Sequence, residues 1–221
     1  MTYSKPDNVR EFVWKVIDTD IALKKDIARD IINTRAAASY IISRYRLKVS
    51  IDSVISAIRR YNVSPAKKQE LDVYSLLRKA EIRTITKMAS LSLKKNEDTT
   101  MTLGKTLPRI DFEGGEVLRI LEGSKLFRII FDKKSLNKMN DLFKKTDIID
   151  ANKNISMLEM IYPKELEKTP GVFSAVSNEL AENDISIIDA LICANEHIII
   201  VDEKDVLRAF EVLNNLCSEE V

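Results

Sequence analysis

Laid over itself at an offset of 70 residues, the C-terminal part of this 221-residue chain matches its own apolar pattern without a gap. Ile85 falls on Ile155, Met88 on Leu158, Leu91 on Ile161, Leu103 on Phe173, Ile110 on Leu180, Val117 on Ile187, Leu118 on Ile188 and Leu121 on Leu191. Ile129-Ile130-Phe131-Asp132-Lys133-Lys134 then lies over Ile199-Ile200-Val201-Asp202-Glu203-Lys204, and Leu136, Leu142 and Phe143 lie over Val206, Val212 and Leu213. A repeat of this length fixes the architecture before any single motif does, because each copy must be one supersecondary unit.

The second copy carries the clearer local signals. Ile155 to Tyr162 is a β-rich run. Thr169-Pro170-Gly171 reads as a helix start, with Thr169 offering an N-cap oxygen and Pro170 at a position that needs no N–H. Val172, Phe173, Val176, Leu180 and Ala181 then recur at helical spacing, and Asn183-Asp184 ends the helix. Ile185 to Cys193 and His197 to Val201 are strands joined by Ala194-Asn195-Glu196, and Asp205 precedes a last helix reaching about Leu216. The order is βαββα. In the first copy Thr100-Met101 stands where the second has Pro170-Gly171, Gly104 and Pro108 interrupt the expected helix, and a Gly114-Gly115 bend follows.

A helix N-terminus presents unpaired N–H groups and partial positive charge, so a ligand carboxylate fits on Pro170-Gly171-Val172, with Gly171 permitting close backbone approach. The same Pro-Gly also suits a tight helix start that binds nothing. The stretch from Glu165 to Ile187, with Ile198 to Asp205, resembles the ACT domains of aspartokinases and phosphoglycerate dehydrogenase. That resemblance implies a ferredoxin-like sandwich that pairs with another ACT unit and holds an amino acid at the seam. Lys168, Thr169, Pro170, Gly171, Val172 and Ser186 are the ligand residues it implies. Serine-responsive members carry asparagines where this chain has Lys168 and Ser186, so serine itself is not implied. In aspartokinase-like tandems the units exchange strands, and Ala80 to Thr86 is placed to supply an edge to the second copy, which lacks a final strand.

The net charge of +1 hides a gradient: residues 1–80 carry 16 Lys/Arg against 9 Asp/Glu, and residues 151–221 carry 5 against 14. A basic front and an acidic back suggest two tasks on one chain. The basic segment reads as short amphipathic helices, with apolar stripes at Val9, Phe12, Val13 and Val16, then Leu23, Ile27 and Ile31, then Ala36 to Tyr45. Ser50 caps a further helix whose inward face is Ile51, Val54, Ile55 and Ile58. Its outer face offers Asp52, Ser53, Ser56, Arg59 and Arg60, the setting of a recognition helix, in which Ser53, Ser56, Arg59 and Arg60 are the DNA-contact candidates. A helical dimerisation or docking domain with solvated arginines fits the same pattern. Ile31 to Ala38, with Val54 to Tyr61, also resembles archaeal regulators of amino-acid metabolism that join a winged-helix-like segment to tandem ACT units.

The expected fold class is α+β: a helical, helix-turn-helix-like domain over 1–64, a connecting helix over 65–79, and two ferredoxin-like βαββα(β) ACT units over 80–151 and 152–221. No catalytic constellation is present. The single histidine, His197, begins a strand without a nucleophile beside it, and no phosphate-cradling or zinc motif occurs. Cys193 and Cys217 read as reduced, buried small hydrophobes, without metal or cofactor. No apolar run reaches transmembrane length and Met1 to Asn8 is polar, so a cytoplasmic protein is expected, without membrane contact. The leading reading is a DNA-binding, amino-acid-sensing regulator that oligomerises with itself through its ACT units. The alternative is an ACT-type regulatory subunit that docks onto an amino-acid biosynthetic enzyme.

Overall fold

The computed structural model describes residues 6–218, so the outermost ends of the first and last expected domains lie outside it. The chain divides into two units, one ending at Asp72 and one beginning at Val73, so the boundary falls inside the connecting helix.

The first unit is helical: α1 (Val9–Thr19), α2 (Ile21–Arg29), α3 (Thr34–Tyr45), α4 (Ile51–Arg59) and the start of α5 (Ser64–Leu77). Asn8, Asp20, Asn33 and Ser50 each accept backbone N–H bonds at the first turn of the helix that follows, supplying the oxygen that orphaned amides require. Asp30 and Arg46 end α2 and α3 in the left-handed region. Val13, Ile17, Ala38, Ile41 and Val54 are fully enclosed, and Trp14 donates its indole N–H to the Ala57 carbonyl at 2.9 Å, fixing α1 on α4. Val54 and Ile58 point inward as the spacing predicts, with Ala57 beside them and Ile51 and Ile55 half-buried. Only residues 60–63 separate α4 from α5, too few for the β-hairpin wing that the winged-helix resemblance implies.

The second unit contains β1 (Glu81–Lys94), α6 (Glu97–Thr106), β2 (Leu118–Glu122), β3 (Leu126–Asp132), α7 (Leu136–Leu142), β4 (Ile148–Ile161), α8 (Val172–Glu182), β5 (Asp189–Cys193), β6 (Glu196–Asp202) and α9 (Val206–Ser218). Two βαββα copies are therefore present, as the repeat requires. Their strands form one antiparallel sheet in the order β2-β3-β1-β4-β6-β5. β1 and β4 are each 14 residues long and are shared. The later half of β1 pairs with β3 and with the early half of β4, while Glu81–Ile85 pairs with Met157–Ile161. Each long strand is thus the first strand of its own copy and the closing strand of the other. The segment expected to supply an edge to the second copy does so.

The ladder between β1 and β4 breaks between Ile85 and Met88, where Lys87 takes a left-handed φ of 57°. A bulge of this kind bends a strand. The bend folds the sheet onto itself. Arg128 on β3 reaches Asp189 on β5 at 2.9 Å, although three strands lie between them, a gap of roughly 19 Å across a flat sheet. Arg119 on β2 likewise reaches Glu159 on β4 at 2.8 Å. Between the facing halves lies a core of Met88, Ile130, Ile155, Met157, Ile198 and Ile200, all at most 3% exposed. The helices cover the outer faces. The first copy packs Leu91, Leu103, Ile129 and Phe131 there, and the second packs Leu158, Val176, Ile199 and Leu213.

Candidate functional site

The chain enters α8 through a 3-10 turn, Lys164–Lys168, whose last residue is exposed. The expected Thr169 cap is corrected here. Thr169 closes the 3-10 turn, donating its N–H to Leu166 O and its hydroxyl to Glu165 O, both at 3.0 Å. The N-cap is instead Gly171, one position past Pro170, with φ 102° and no side-chain capping bond. The carbonyl of Gly171 accepts from Ala175 N at 3.0 Å and so closes the first turn. A positive φ at this point suits glycine, whose lack of a Cβ removes the steric cost. Pro170 and Gly171 are exposed, whereas Val172 is buried and anchors the helix with Val176 and Leu180. The arrangement is a helix start without a side-chain cap, and the first-turn amides of a helix suit an anionic group.

Ser186 is not beside this turn. It lies past the far end of α8, in a groove of about 500 Å³ with Ser177, Ala181, Asp184, Ile185 and Ile187. An eleven-residue helix separates the two sets, a span of roughly 16 Å. One chain therefore does not bring Ser186 to Gly171.

His197 lies under the α8 start, 2% exposed, with its ring 5.4 Å from Phe173 and 4.8 Å from Tyr162 in edge-to-face contacts. Its Nδ1 is buried without a hydrogen-bond partner among the described residues. Enclosure by these rings lowers its pKa from 6.5 to about 4 and keeps it neutral. Burial also pushes the Tyr162 phenol up, and the Cys217 thiol to about 11. In the unfolded chain the imidazole protonates near its ordinary pKa, whereas in the folded protein it resists down to about 4. Its contribution to stability is complete above about pH 6.5 and is lost as pH falls towards 4, by at most about 3 kcal/mol. Urea titrations at about pH 7 and about pH 5 should show a smaller loss for His197→Phe than for the parent. An identical loss would place the acid sensitivity elsewhere.

Ser56 and Arg59 on α4 and Arg60 at its C-cap are exposed, whereas Ser53 is half-buried with its hydroxyl donated to Ser50 O at 2.7 Å. Ser53, Ser56 and Arg60 line a groove of about 380 Å³ together with Arg10 of α1, which sequence reasoning missed. Arg10 was legible only as part of the basic front, since what places it is its stacking over Trp14 at 5.2 Å. Arg59 is outside this lining.

The first copy holds a further cleft that was also missed, bounded by the start of α6 and the end of α7. Asn96 caps α6, four positions before the Thr100-Met101 that the repeat puts opposite Pro170-Gly171. Cys193 is exposed and Cys217 half-buried, which corrects the expectation of two buried thiols. Among the described residues no group of three or more His, Cys, Asp or Glu is placed to hold a metal ion, and no helix is long and apolar enough to cross a membrane.

No protein-family model and no curated protein matches the chain. Solved structures do. A regulatory subunit of aspartate kinase from Thermus thermophilus shares 11% identity over 62% of this chain and 97% of that one, with a TM-score of 0.51. The aspartate kinase of Clostridium acetobutylicum shares 14% over 63% of this chain, with a TM-score of 0.52, and only 34% of its own length is covered. A structure of aspartokinase alpha and beta subunits gives 15% identity, coverage of 61% and 95%, and a TM-score of 0.50. At these identities the likeness is one of fold: the tandem unit has the architecture of the regulatory part of aspartate kinases.

Proposed function

We propose that the chain is an amino-acid-responsive regulatory protein, without catalysis of its own, that acts as a subunit on an enzyme of amino-acid biosynthesis. The observation that carries this reading is the likeness to an aspartate kinase regulatory subunit over 97% of that subunit's length. The backbone N–H groups of Gly171 and Val172, following Pro170, receive the ligand carboxylate, with Lys168 and Thr169 beside them. Ser186 contributes from a second chain, because within one chain α8 holds it away. The site is then completed by self-association, for which the sheet offers β5 as an open edge with Ile192 59% exposed. The helical unit docks onto the enzyme, a role suited by Ile21 at the start of α2 and Ile31 just past its end, 69% and 68% exposed.

A thermal-shift screen against the common amino acids tests the reading. A ligand at a hundredfold its dissociation constant adds about 2.7 kcal/mol. That corresponds to a rise of roughly 5–10 °C for a unit of this size. A chain that no amino acid stabilises would refute the proposal.

A second reading, a DNA-binding regulator, is supported by the convergence of Arg10, Ser53, Ser56 and Arg60 on one groove. Phosphate neutralisation would give salt-dependent DNA binding whose slope falls by about two counterions per protomer in the Arg10→Ala/Arg60→Ala variant. An unchanged slope removes this reading, and enzyme docking requires no such dependence.

A further inference from the structure

The bend that folds the sheet leaves a groove where the two copies meet. Its volume is about 470 Å³, within the range of small-ligand clefts, and it is lined by Thr86, Lys87, Asp132, Lys133, Lys134 and Glu203. Thr86 and Lys87 fall in the break of the ladder between β1 and β4, Asp132 ends β3 with Lys133 and Lys134 after it, and Glu203 follows β6. Lys133 and Glu203 take the same place in the two copies, one residue past the aspartate that lies opposite Met88 in the first and Ile155 in the second. Their ion pair, at 3.2 Å, therefore joins copy to copy, and Asn154 Oδ1 accepts from Lys133 Nζ at 3.3 Å beside it.

The charges of this lining are unevenly spent. Glu203 is taken up by Lys133, and the Asp132 carboxylate accepts the Val117 N–H at 2.9 Å. Lys87 and Lys134 are exposed and have no acidic partner among the described residues. Lys87 is moreover held at the groove by a φ of 57°, a region that residues other than glycine, asparagine and aspartate seldom enter. No apolar side chain is in the lining, so a ligand there is polar throughout. Two unpaired ammonium groups beside a third call for a counter-charge of more than one, and a lysine ammonium recognises phosphate or carboxylate oxygens as a point charge.

We propose that this groove binds a small multivalent anion, of the phosphate or polycarboxylate kind, between the two copies. Lys87 and Lys134 hold its charge, Lys133 shares its ammonium between the anion and Glu203, and the Thr86 hydroxyl donates a further bond. Because the lining draws on β1, on the end of β3 and on the end of β6, only the closed tandem presents it, and the bound anion stabilises the seam between the copies. The site uses none of the residues of the proposed amino-acid site and does not depend on that reading.

The test is a calorimetric titration of the full chain with pyrophosphate and, separately, with citrate, at an ionic strength held constant with sodium chloride. The expected result is one anion bound per chain and a loss of at least about tenfold in affinity in the Lys87→Asn/Lys134→Gln variant, which removes two charged partners. Asparagine tolerates the left-handed region and Lys134 is exposed, so this variant keeps the fold and should melt close to the parent in the absence of anion. Lys134→Gln alone, which leaves β1 untouched, should lose about threefold or more. Lys105→Gln/Lys145→Gln changes two exposed lysines outside the groove, lowers the net charge equally and should keep the affinity within about twofold. The tighter of the two probes tells a phosphate ligand from a polycarboxylate one. Heats for both probes no larger than those of sodium acetate overturn the proposal, as do groove variants that bind as the parent does. A control variant that loses as much as the groove variant overturns it equally, since the attraction is then that of the chain's whole charge.

Discussion

Replacing Gly171 with valine is expected to abolish amino-acid binding at the second copy. The effect comes from the backbone. Gly171 holds φ 102° at the uncapped start of α8, where the proposed ligand carboxylate would approach the amides. A branched side chain there fills the approach, and loss of two charge-assisted bonds, each roughly 1.5–3 kcal/mol, weakens binding about a hundredfold or more. Valine also dislikes a positive φ, so the variant melts below the parent by an amount that follows about 1–2 kcal/mol of strain. Gly171→Ala separates the two effects, since it blocks the approach with less strain. A calorimetric titration in which either variant binds as tightly as the parent would show that the ligand does not use this helix start.

The second large effect concerns the layer between the folded halves of the sheet. Ile130 and Ile200 occupy matching positions in the two copies, and both are fully buried there. Either residue changed to alanine is expected to cost about 2–5 kcal/mol, the range for deleting a buried isoleucine. Against a typical total of about 5–15 kcal/mol, either loss is a large fraction of stability. The double variant carries the sharper information. If the halves face each other, the two changes share one interior and should depart from additivity by about 0.5–3 kcal/mol. Additivity within about 0.5 kcal/mol in urea unfolding would mean that the sheet lies open.

Where one face of an element is buried, the sequence was readable. The apolar runs of β3 and β6 match at the offset of 70, as do α7 and α9, and the bonded registers of β2-β3 and β5-β6 agree with that offset. The long strands do not. Met88 and Ile155 are the corresponding positions, opposite Asp132 and Asp202 respectively, so the offset there is 67 and the pairing of Met88 with Leu158 was wrong. In a run of successive apolar residues a shift of three changes little, which is why the ungapped match concealed it. Leu103 likewise corresponds to Val176 by burial in its helix and not to Phe173. The early halves of β1 and β4 alternate poorly, since Arg83, Thr84 and Lys87 in one and Asp150, Asn152 and Lys153 in the other lie in mostly exposed halves, and only Ile155 to Tyr162 had been legible in β4.

The same contrast governs the site. Thr-Pro-Gly signals a helix start, but choosing Thr169 or Gly171 as its cap depends on a φ value that composition does not record. Ser186 was assigned by resemblance, and the length of α8 separates it from the other candidate ligand residues. The first-copy cleft was hidden because its residues come from two stretches, Asp98 to Lys105 and Phe143 to Asp147, neither of which forms a motif alone. Arg10 joins the α4 groove only through folding, and no spacing in the sequence links it to Arg60.

The exchange of β1 and β4 also sets an order of events at the ribosome. Glu81–Ile85 is made early, yet its partner Met157–Ile161 is translated several seconds later at roughly 5–20 residues per second. Until then the first copy can pair β1 with β3, leaving the other flank of β1 as a bare edge, the kind of template on which strands of other nascent chains assemble. Neither copy closes before β4 has left the exit tunnel. Halting synthesis within the segment joining α7 to β4 should therefore yield chains that hold chaperones and resist release, whereas halting beyond α9, with enough tether to clear the tunnel, should yield chains that do not.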